Sequence, residues 1–246
     1  MALSVLAATA PIGGCSNPVP KPAQKPKPAQ KPKPAQKPKL TAALRGQITS
    51  QRPGPRLGTR RLRAAGRRLG ISPWSGADAV RTTLVTYRTE RDAGVPGLAS
   101  AQVFIPSSGV RADAFAVVAH GTVGHADRCA PSRNRGWLSY LVVPLLARGY
   151  AVIATDYAGL GTPGVSGYLH GPDTAHSVLD AARAMDHVLP ELAGRPFVVV
   201  GHSQGGGAAL AAQGLSESYG PSGRLKAVLP IAPGHTYMDR SDWVDV

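Results

Sequence analysis

Short apolar runs alternate with amphipathic segments along the chain from about residue 80 onward. Strands are predicted where β-branched and other apolar residues alternate with polar ones or form unbroken runs, at 80–88, 101–106, 115–119, 150–156, 197–200 and 225–232. Apolar residues at helical spacing predict helices at 137–148 and 174–189, and a run of small residues predicts another after residue 203. Because strands alternate with helices after an antiparallel pair, we expect a doubly wound, mostly parallel α/β sheet.

The first 70 residues lack this pattern. Residues 1–15 are mostly small and apolar and end in a cysteine, which is typical of an export signal or of a lipoprotein signal lipidated at Cys15. Residues 21–38 repeat Lys-Pro-Ala-Gln-Lys-Pro three times, and repeated proline excludes both helix and sheet. We therefore expect a disordered linker over 16–70, including an Arg-rich lead-in, and a globular domain over 71–246. A short basic helix over 58–69 is the alternative for the lead-in.

Positive charge is concentrated in this N-terminal part. The chain has 28 Lys and Arg against 14 Asp and Glu, a net charge of +14. Seven Lys in 21–39 and eight Arg in 45–68 account for the excess. The remainder is close to neutral, so no nucleic-acid-binding face is expected on the domain. Attraction of the tail to an anionic envelope polymer is an alternative to a merely solvated spacer.

One stretch combines a buried strand, a tight turn and a helix of small residues. The apolar run 197–200 leads into Gly201-His202-Ser203-Gln204-Gly205, a Gly-x-Ser-x-Gly sequence followed by glycine and alanine. In this strand–turn–helix context the serine hydroxyl is presented at the edge of the sheet, which makes Ser203 the candidate nucleophile. The alternative is an ordinary serine N-cap in a glycine-rich turn.

A second loop supplies the electrostatic element of such a site. His120-Gly121-Thr122 follows the strand at 115–119, at the carboxyl edge where ligands bind in parallel sheets. Acyl transfer needs N–H donors aimed at the oxygen of the tetrahedral intermediate. We assign this oxyanion hole to the backbone N–H groups of Thr122 and Gln204. A plain glycine turn is the alternative for the first loop.

Several motifs together resemble the secretory lipase family of α/β-hydrolases. They are His120-Gly-Thr, Cys129-Ala-Pro-Ser, Tyr168-Leu169, Gly201-His-Ser-Gln-Gly and, most specific, Asp156-Tyr-Ala-Gly-Leu-Gly-Thr-Pro. The resemblance covers about residues 80–232 and implies the α/β-hydrolase fold. It also implies an exported carboxylic-ester hydrolase, a lipase or esterase, that forms an acyl-enzyme on the serine of a Ser-Asp-His triad.

The acid and the histidine of the triad are harder to place. In this fold they follow the serine, and Glu217 and His235 are the residues that stand in this order. Glu217 is expected about 21 Å along the helix that begins after Ser203, so it does not reach the serine. We therefore expect a chain truncated at the C-terminus relative to the family, with weak activity or none. An acyltransferase or peptidase, and a catalytically incompetent fragment or surface binding domain, are the alternatives.

The remaining polar residues exclude some chemistries. The sequence has no metal-ligand spacing and no phosphate-binding loop, so neither a metal nor a cofactor is expected. The loop histidines His125 and His235 are weaker candidates for the base, and Asp156 is expected to fix a loop. Cys129 is either free or paired with a cysteine beyond Val246. The expected partner is a small-molecule or lipid ester, with no nucleic acid, and the expected location is the cell envelope or the exterior.

Overall fold

Eight strands form one sheet in the computed structural model, which describes residues 39–234 except 109, 112, 135–139 and 222. The strands are β1 (Ile48–Pro53), β2 (Leu57–Gly58), β3 (Ala79–Glu90), β4 (Pro96–Pro106), β5 (Phe115–Ala119), β6 (Val152–Ala158), β7 (Phe197–His202) and β8 (Leu225–Ile231). The α-helices of the described residues are α1 (Thr59–Arg68), α2 (Val142–Ala147), α3 (Gly171–Val188) and α4 (Gln204–Leu215).

The sheet has an antiparallel half and a parallel half. Its strand order is β1-β3-β4-β6-β5-β7-β8, and β2 lies beside β3. The pairs that involve β1 to β4 are antiparallel, including the pair of β4 with β6. From β6 through β5 and β7 to β8 the pairs are parallel. The predicted doubly wound α/β sheet, entered by an antiparallel hairpin, is therefore confirmed as a mixed sheet.

Both faces of the central strands are covered, which explains why their sequences are almost wholly apolar. All residues of β5 and β6 are buried. Val117 and Ile153 face the cluster formed with α3 and α4, whereas Val118 and Val152 face the cluster formed with α1 and α2. Because β5 pairs in parallel with both β6 and β7, the carboxyl ends of these three strands lie side by side. We call this edge, with the loops that follow these strands, the site edge.

The ordered domain begins earlier than the sequence predicts. The expectation of disorder up to residue 70 is wrong for residues 39–70, which include β1, β2 and α1. The alternative of a short basic helix over 58–69 agrees with α1. β1 pairs with β3, and the side chains of Leu57 and Leu62 are fully buried. A few apolar anchors spaced among arginine, glycine and proline carry this packing, and they are too sparse to form a periodic pattern. Residues 1–38, with the expected export signal, Cys15 and the repeat, lie outside the described residues.

Some helix ends also differ from the prediction. α2 begins at Val142 rather than at 137, and residues 135–139 lie outside the described residues. α3 begins at Gly171, before the predicted start at 174, because the His170 ring accepts a capping hydrogen bond from the Asp173 N–H. Within the described residues, no helix has both the length and the apolar composition needed to span a bilayer.

Candidate active site

Ser203 occupies the single position between β7 and α4, and its backbone has φ 53° and ψ −119°. A positive φ is costly for a residue with a side chain, and such residues cluster at functional sites. Backbone hydrogen bonds hold the conformation. The Ser203 N–H donates to the Ile231 carbonyl at 2.9 Å, and the Ser203 carbonyl accepts from the N–H groups of Gly207 and Gly234 at 3.1 and 2.8 Å.

Glycines make this sharp turn sterically feasible. A Cβ on Gly205 would overlap the Ala119 carbonyl of β5, and a Cβ on Gly201 would overlap the Gly205 carbonyl. The start of α4 therefore approaches β5 and β7 with no room for side chains. The half-buried Ser203 side chain makes no capping hydrogen bond to α4. This argues against the N-cap alternative, in which the serine oxygen accepts from the first turn of the helix.

The loop after β5 lies directly against this turn. A Cβ on Gly121 would sit 3.6 Å from the Ser203 Cβ and 3.2 Å from the His202 carbonyl oxygen. Gln204 is the first residue of α4, so its N–H belongs to the helix-end donors that lack an intrahelical acceptor. The structure brings Ser203, Gln204 and Thr122 to the same edge of the sheet. The catalytic roles assigned to them stay predictions.

Thr122 is connected to the loop that follows β6. Its hydroxyl oxygen is 2.9 Å from the Tyr168 hydroxyl oxygen. The His125 ring meets the Tyr168 ring edge-on, with ring centroids 5.1 Å apart. Leu169 has φ 55°, and its Cδ2 would lie 3.3 Å from a Cβ on Gly234. Tyr168 and Leu169 therefore link the loops of the site edge to one another.

A cavity of about 1190 Å³ opens beside these loops. Its lining includes His125, Tyr168 and Leu169, together with the ion pair of Arg91 and Asp173, whose Nε and Oδ2 atoms are 2.6 Å apart. Enzyme pockets that hold organic ligands commonly enclose about 300–1,000 Å³. The cavity is thus large enough for the body of an organic substrate, and it adjoins the Thr122 loop.

Asp156 is a fully buried carboxylate in β6. Its Oδ2 accepts from the Ser100 hydroxyl at 2.6 Å, and its Oδ1 accepts from the Ser132 N–H at 3.0 Å. Burial raises the pKa of Asp156 because the charged form is desolvated, and the two hydrogen bonds oppose this rise. Both oxygens hold neighbouring segments, which agrees with the loop-fixing role expected for this residue.

Tyr157, the next residue, braces the loop after β5. Its backbone has φ 68°, and its hydroxyl donates to the His120 carbonyl at 2.8 Å. The His120 ring packs against the Tyr157 ring with centroids 4.7 Å apart, and its Nδ1 lies 2.6 Å from the Gly121 carbonyl oxygen. Burial raises the pKa of Tyr157 far above its usual range, so the phenol stays neutral and remains a donor. β6 thereby steadies the backbone that leads to Thr122.

The candidate triad partners are not assembled around Ser203 in the described residues. Three histidine rings hydrogen-bond to other groups: His120, His170 and His176. The His202 ring meets the Tyr140 ring edge-on at 5.6 Å. Glu217 is exposed just beyond the end of α4, and His235 lies outside the described residues. The structure therefore assigns no base to the serine.

Two further expectations concern metals and cysteines. The described residues contain no group of three or more side chains able to hold a metal ion. Cys129 carries a free thiol, and its Sγ would lie 2.9 Å from a Cβ on Gly124, in the loop after β5. The expected pairing with a cysteine beyond Val246 stays a prediction.

Comparison with known proteins identifies the family to which this fold belongs. The sequence profile of the alpha/beta hydrolase family matches residues 116–243, just over half of the chain and all of its parallel strands. The chain belongs to the alpha/beta hydrolase family. No curated protein matches the chain as a sequence.

Solved structures of esterases and lipases resemble this α/β hydrolase. The ligand-bound form of the rice cell wall degrading esterase LipA from Xanthomonas oryzae is 26% identical with a TM-score of 0.63, over 77% of this chain and 50% of that chain. Candida antarctica lipase A in its closed state is 19% identical with a TM-score of 0.58, over 75% of this chain and 41% of that chain. The second likeness shows the fold alone. The chain spans half or less of the length of these structures.

The comparisons confirm the resemblance to lipases and esterases of the α/β-hydrolase fold. Sequence reasoning included Tyr168-Leu169 among the family-like motifs but gave Tyr168 no role in the site of this α/β hydrolase, and it did not predict the cavity. A usable signal was present, because Tyr168 stands in the loop after β6, at the edge where ligands bind in parallel sheets. Its contact with Thr122 joins residues 46 positions apart, which no local pattern reveals.

Proposed function

We propose that this α/β hydrolase is a serine carboxylic-ester hydrolase, a lipase or esterase, with Ser203 as its nucleophile. The observation that carries the proposal is the turn at Ser203, where one residue with a positive φ joins β7 to α4 and its hydroxyl caps no helix. The similarity to the esterase LipA at 26% identity supports the ester as the substrate class. The substrate is an ester of a small molecule or of a lipid.

The proposed reaction uses the groups of the site edge. The Ser203 Oγ attacks the ester carbonyl carbon while its proton passes to a neutral base, and the carbonyl oxygen becomes an oxyanion. The N–H groups of Gln204 and Thr122 donate to this oxyanion, and loss of one such donor typically costs about 3 kcal/mol of barrier. The C–O bond then breaks, the alcohol leaves with the proton from the base, and water hydrolyses the acyl-enzyme.

The base and its acid partner are assigned to none of the described residues. The sequence predicts that neither Glu217 nor His235 completes the triad. A serine hydroxyl is a weak nucleophile near neutral pH without a base to take its proton. The proposal therefore expects slow turnover from the 246-residue chain and full turnover only when an aspartate and a histidine are supplied.

The cavity beside Tyr168 is the proposed site for the acyl or alcohol part of the ester. Its lining combines apolar side chains such as Leu169 and Val165 with the charged pair Arg91 and Asp173. An apolar wall that also carries a few polar groups is the usual make-up of a pocket for an organic ligand. The cavity and the candidate nucleophile are connected through Thr122, whose hydroxyl contacts Tyr168.

Covalent labelling with a fluorophosphonate tests the proposal on three chains: the wild type, Ser203→Ala and Ser218→Ala. Ser218 is an exposed serine whose hydroxyl donates to the Leu215 carbonyl, and it serves as the matched control. We expect slow labelling of the Ser203 peptide in the wild type and the control, faster labelling once a segment that supplies aspartate and histidine is added, and none on Ser203→Ala. Equal labelling of Ser203→Ala, or an extended chain that stays unlabelled at Ser203, contradicts the proposal.

Hydrolysis of p-nitrophenyl esters tests the expectation about the base. Donors and binding without a complete triad leave roughly 10³–10⁴-fold over water. We expect the 246-residue chain to stay near that level, and a chain extended by a segment that supplies aspartate and histidine to exceed it by orders of magnitude. Ordinary esterase turnover by the short chain, lost on Ser203→Ala, would make His235 the base, and His235→Ala is the variant that decides this.

Export with a lipidated Cys15 is a separate part of the proposal and rests on the sequence of residues 1–15. The apolar run that ends in Gly13-Gly14-Cys15, followed by a Pro-rich spacer, supports it. Mass spectrometry of the membrane fraction measures the mature N-terminus. A mature chain that starts at another residue and carries no lipid contradicts the proposed lipidation of Cys15.

A further inference from the structure

Helix α1 presents five arginines to the solvent on one side. Its ten residues, Thr59–Arg68, contain no acidic side chain. Its five arginines are all exposed: Arg60, Arg61, Arg63, Arg67 and Arg68. At 3.6 residues per turn, these positions fall within about 160° of the helix circumference, an arc that also contains the half-buried Ala64. We call these five side chains the basic helix face.

The opposite side of α1 is used to attach the helix to the domain. Leu62 is fully buried in the cluster shared with α2, and Gly66 is buried as well. A Cβ on Gly66 would lie 2.9 Å from the Trp74 ring, so the helix backbone approaches that ring closely. Because its apolar side is occupied by the domain, α1 has no free apolar face to insert into a bilayer. Its charges are held outward on an ordered element.

The chain next to the basic helix face is also basic. Residues 52–81 contain eight arginines and a single acidic residue, Asp78. Arg52 in β1 and Arg56 before β2 are exposed too. The ion pairs formed by the described residues use other cations than Arg60, Arg63, Arg67 and Arg68. Like charges spaced three and four residues apart on a helix repel one another, so folding does not explain this composition.

The basic helix face lies away from the site edge. α1 follows β2, which pairs with the start of β3 through Leu57 and Val80. The start of β3 pairs with the end of β4, and there Phe104 of β4 is opposite Val152 at the start of β6. The amino end of β6 is the sheet edge opposite the one that carries Ser203. An anion bound by α1 is therefore not a substrate presented to Ser203.

We propose that the basic helix face binds an anionic phospholipid surface, with headgroup phosphates held by the guanidinium groups. Guanidinium groups match phosphate geometry and remain charged at every physiological pH. An anionic bilayer attracts each nearby Lys or Arg, and the attraction weakens as salt screens it. A helix with its charges on one protruding side fits a flat surface, whereas single-stranded nucleic acid is held by charged grooves that include aromatic platforms.

The bound bilayer is an anchor rather than the substrate. Contact through α1 leaves the site edge, with Ser203, clear of the surface. The inference does not rest on the proposed hydrolase activity, because binding by α1 needs neither Ser203 nor a base.

Sedimentation of the full 246-residue chain with vesicles tests the inference. The probes are phosphatidylcholine vesicles with and without about 30% phosphatidylglycerol, which differ in surface charge. We expect the wild type to bind the anionic vesicles, to release as salt rises, and to ignore the neutral ones. The triple variant Arg60→Gln/Arg63→Gln/Arg67→Gln is expected to bind the anionic vesicles at least about tenfold more weakly.

A second triple variant with the same loss of charge is the control: Arg128→Gln/Arg195→Gln/Lys226→Gln, at exposed positions outside α1 and the segment next to it. We expect it to bind within about twofold of the wild type. Equal weakening by the two triple variants, or equal binding of the wild type to neutral vesicles, overturns the proposal. Double-stranded DNA bound as tightly as the anionic vesicles, with the same loss in the first variant, also overturns it. Thermal unfolding and fluorophosphonate labelling, expected unchanged, show that α1 was altered without disturbing the site edge.

Discussion

In the parallel half of the sheet, β5 and β6 are buried on both faces and glycine backbones touch where α4 meets β7. In the antiparallel half, β1 is largely exposed and α1 is attached mainly through Leu62 and Gly66. Almost every side chain of β5, β6 and the start of α4 is constrained by its neighbours. By contrast, β1 and α1 depend on a few anchors and leave their other positions free to carry charge, although β4 of the same half is mostly buried.

The two regions differ in how precisely their side chains need to be positioned. Ser203 and its neighbours need to be positioned to a fraction of an ångström, and rigid strands on a packed sheet provide that precision. The arginines of α1 need only to face outward together, because attraction to a charged surface is long-ranged and tolerant of geometry. A small change of side chain should therefore lower the free energy of unfolding more in the first region than in the second.

The largest effect is expected for Gly205→Ala in the parallel half. The added Cβ would overlap the Ala119 carbonyl, and the backbone there has no room to move away. We expect a loss of about 3 kcal/mol or more in the free energy of unfolding, measured by urea denaturation. The control in the antiparallel half is Gly58→Ala, where nothing lies within 4 Å of the new Cβ. Equal losses in the two variants would remove the contrast between the regions.

Leu62→Ala tests the anchors of the antiparallel half. Leu62 is fully buried and attaches α1 to the cluster of α2. We expect a loss of about 2–4 kcal/mol, together with faster amide exchange over residues 59–68 than in the parallel strands. Leu69→Ala, at a side chain that is 40% exposed, serves as the control and should stay within about 0.5 kcal/mol of the wild type. Unchanged exchange in α1 of Leu62→Ala would mean that other contacts hold the helix.

Asp156→Asn tests the cost of the buried carboxylate in the parallel half. Burial raises the pKa of Asp156, so the folded chain keeps this proton at a pH where the unfolded chain has released it. The contribution of Asp156 to stability is therefore greatest below the ordinary aspartate pKa of about 3.9 and is lost as the pH rises through the raised pKa. As the pH rises across this window, we expect the free energy of unfolding to fall less in Asp156→Asn than in the wild type. Denaturation at several pH values measures this difference.

The exposed Asp113, whose pKa is shifted in the opposite direction, is the control. Its hydrogen bonds from Arg111 lower the pKa of Asp113, so its contribution is present above the ordinary pKa and is lost as the pH falls. Asp113→Asn should therefore change the pH dependence slightly and in the other direction. A pH profile of Asp156→Asn that matches the wild type would show that the buried carboxylate does not titrate across this window.

The smallest effect is expected for Tyr168→Phe at the site edge. The change removes one hydroxyl contact to Thr122 and leaves the ring against His125. Loss of a hydrogen bond of about 1 kcal/mol lowers the rate of Ser203 labelling by fluorophosphonate about fivefold. Tyr150→Phe, whose ring packs under the Arg111 guanidinium, is the control and should label at the wild-type rate. Equal rates in the two variants would mean that Tyr168 does not position the Thr122 loop.

The fold class and the turn at Ser203 were determined by the sequence alone. Strands buried on both faces require unbroken apolar runs, so β5, β6 and β7 are visible as such runs. The turn requires glycine at Gly201 and Gly205, where any side chain would overlap the backbone, so its sequence is equally restricted. These are local demands on neighbouring residues, and a local pattern is sufficient to express them.

The tertiary structure decided the rest. β1 and α1 are ordered because Leu57 and Leu62 find partners far along the chain, and anchors this sparse form no periodic signal. For the arginines of residues 58–69 the sequence favours a disordered lead-in over a basic helix, and the same packing places them on one side of a helix. Thr122 meets Tyr168 across 46 residues because β5 and β6 lie side by side in parallel register. Such contacts depend on how distant segments pack together, and no stretch of the chain encodes them by itself.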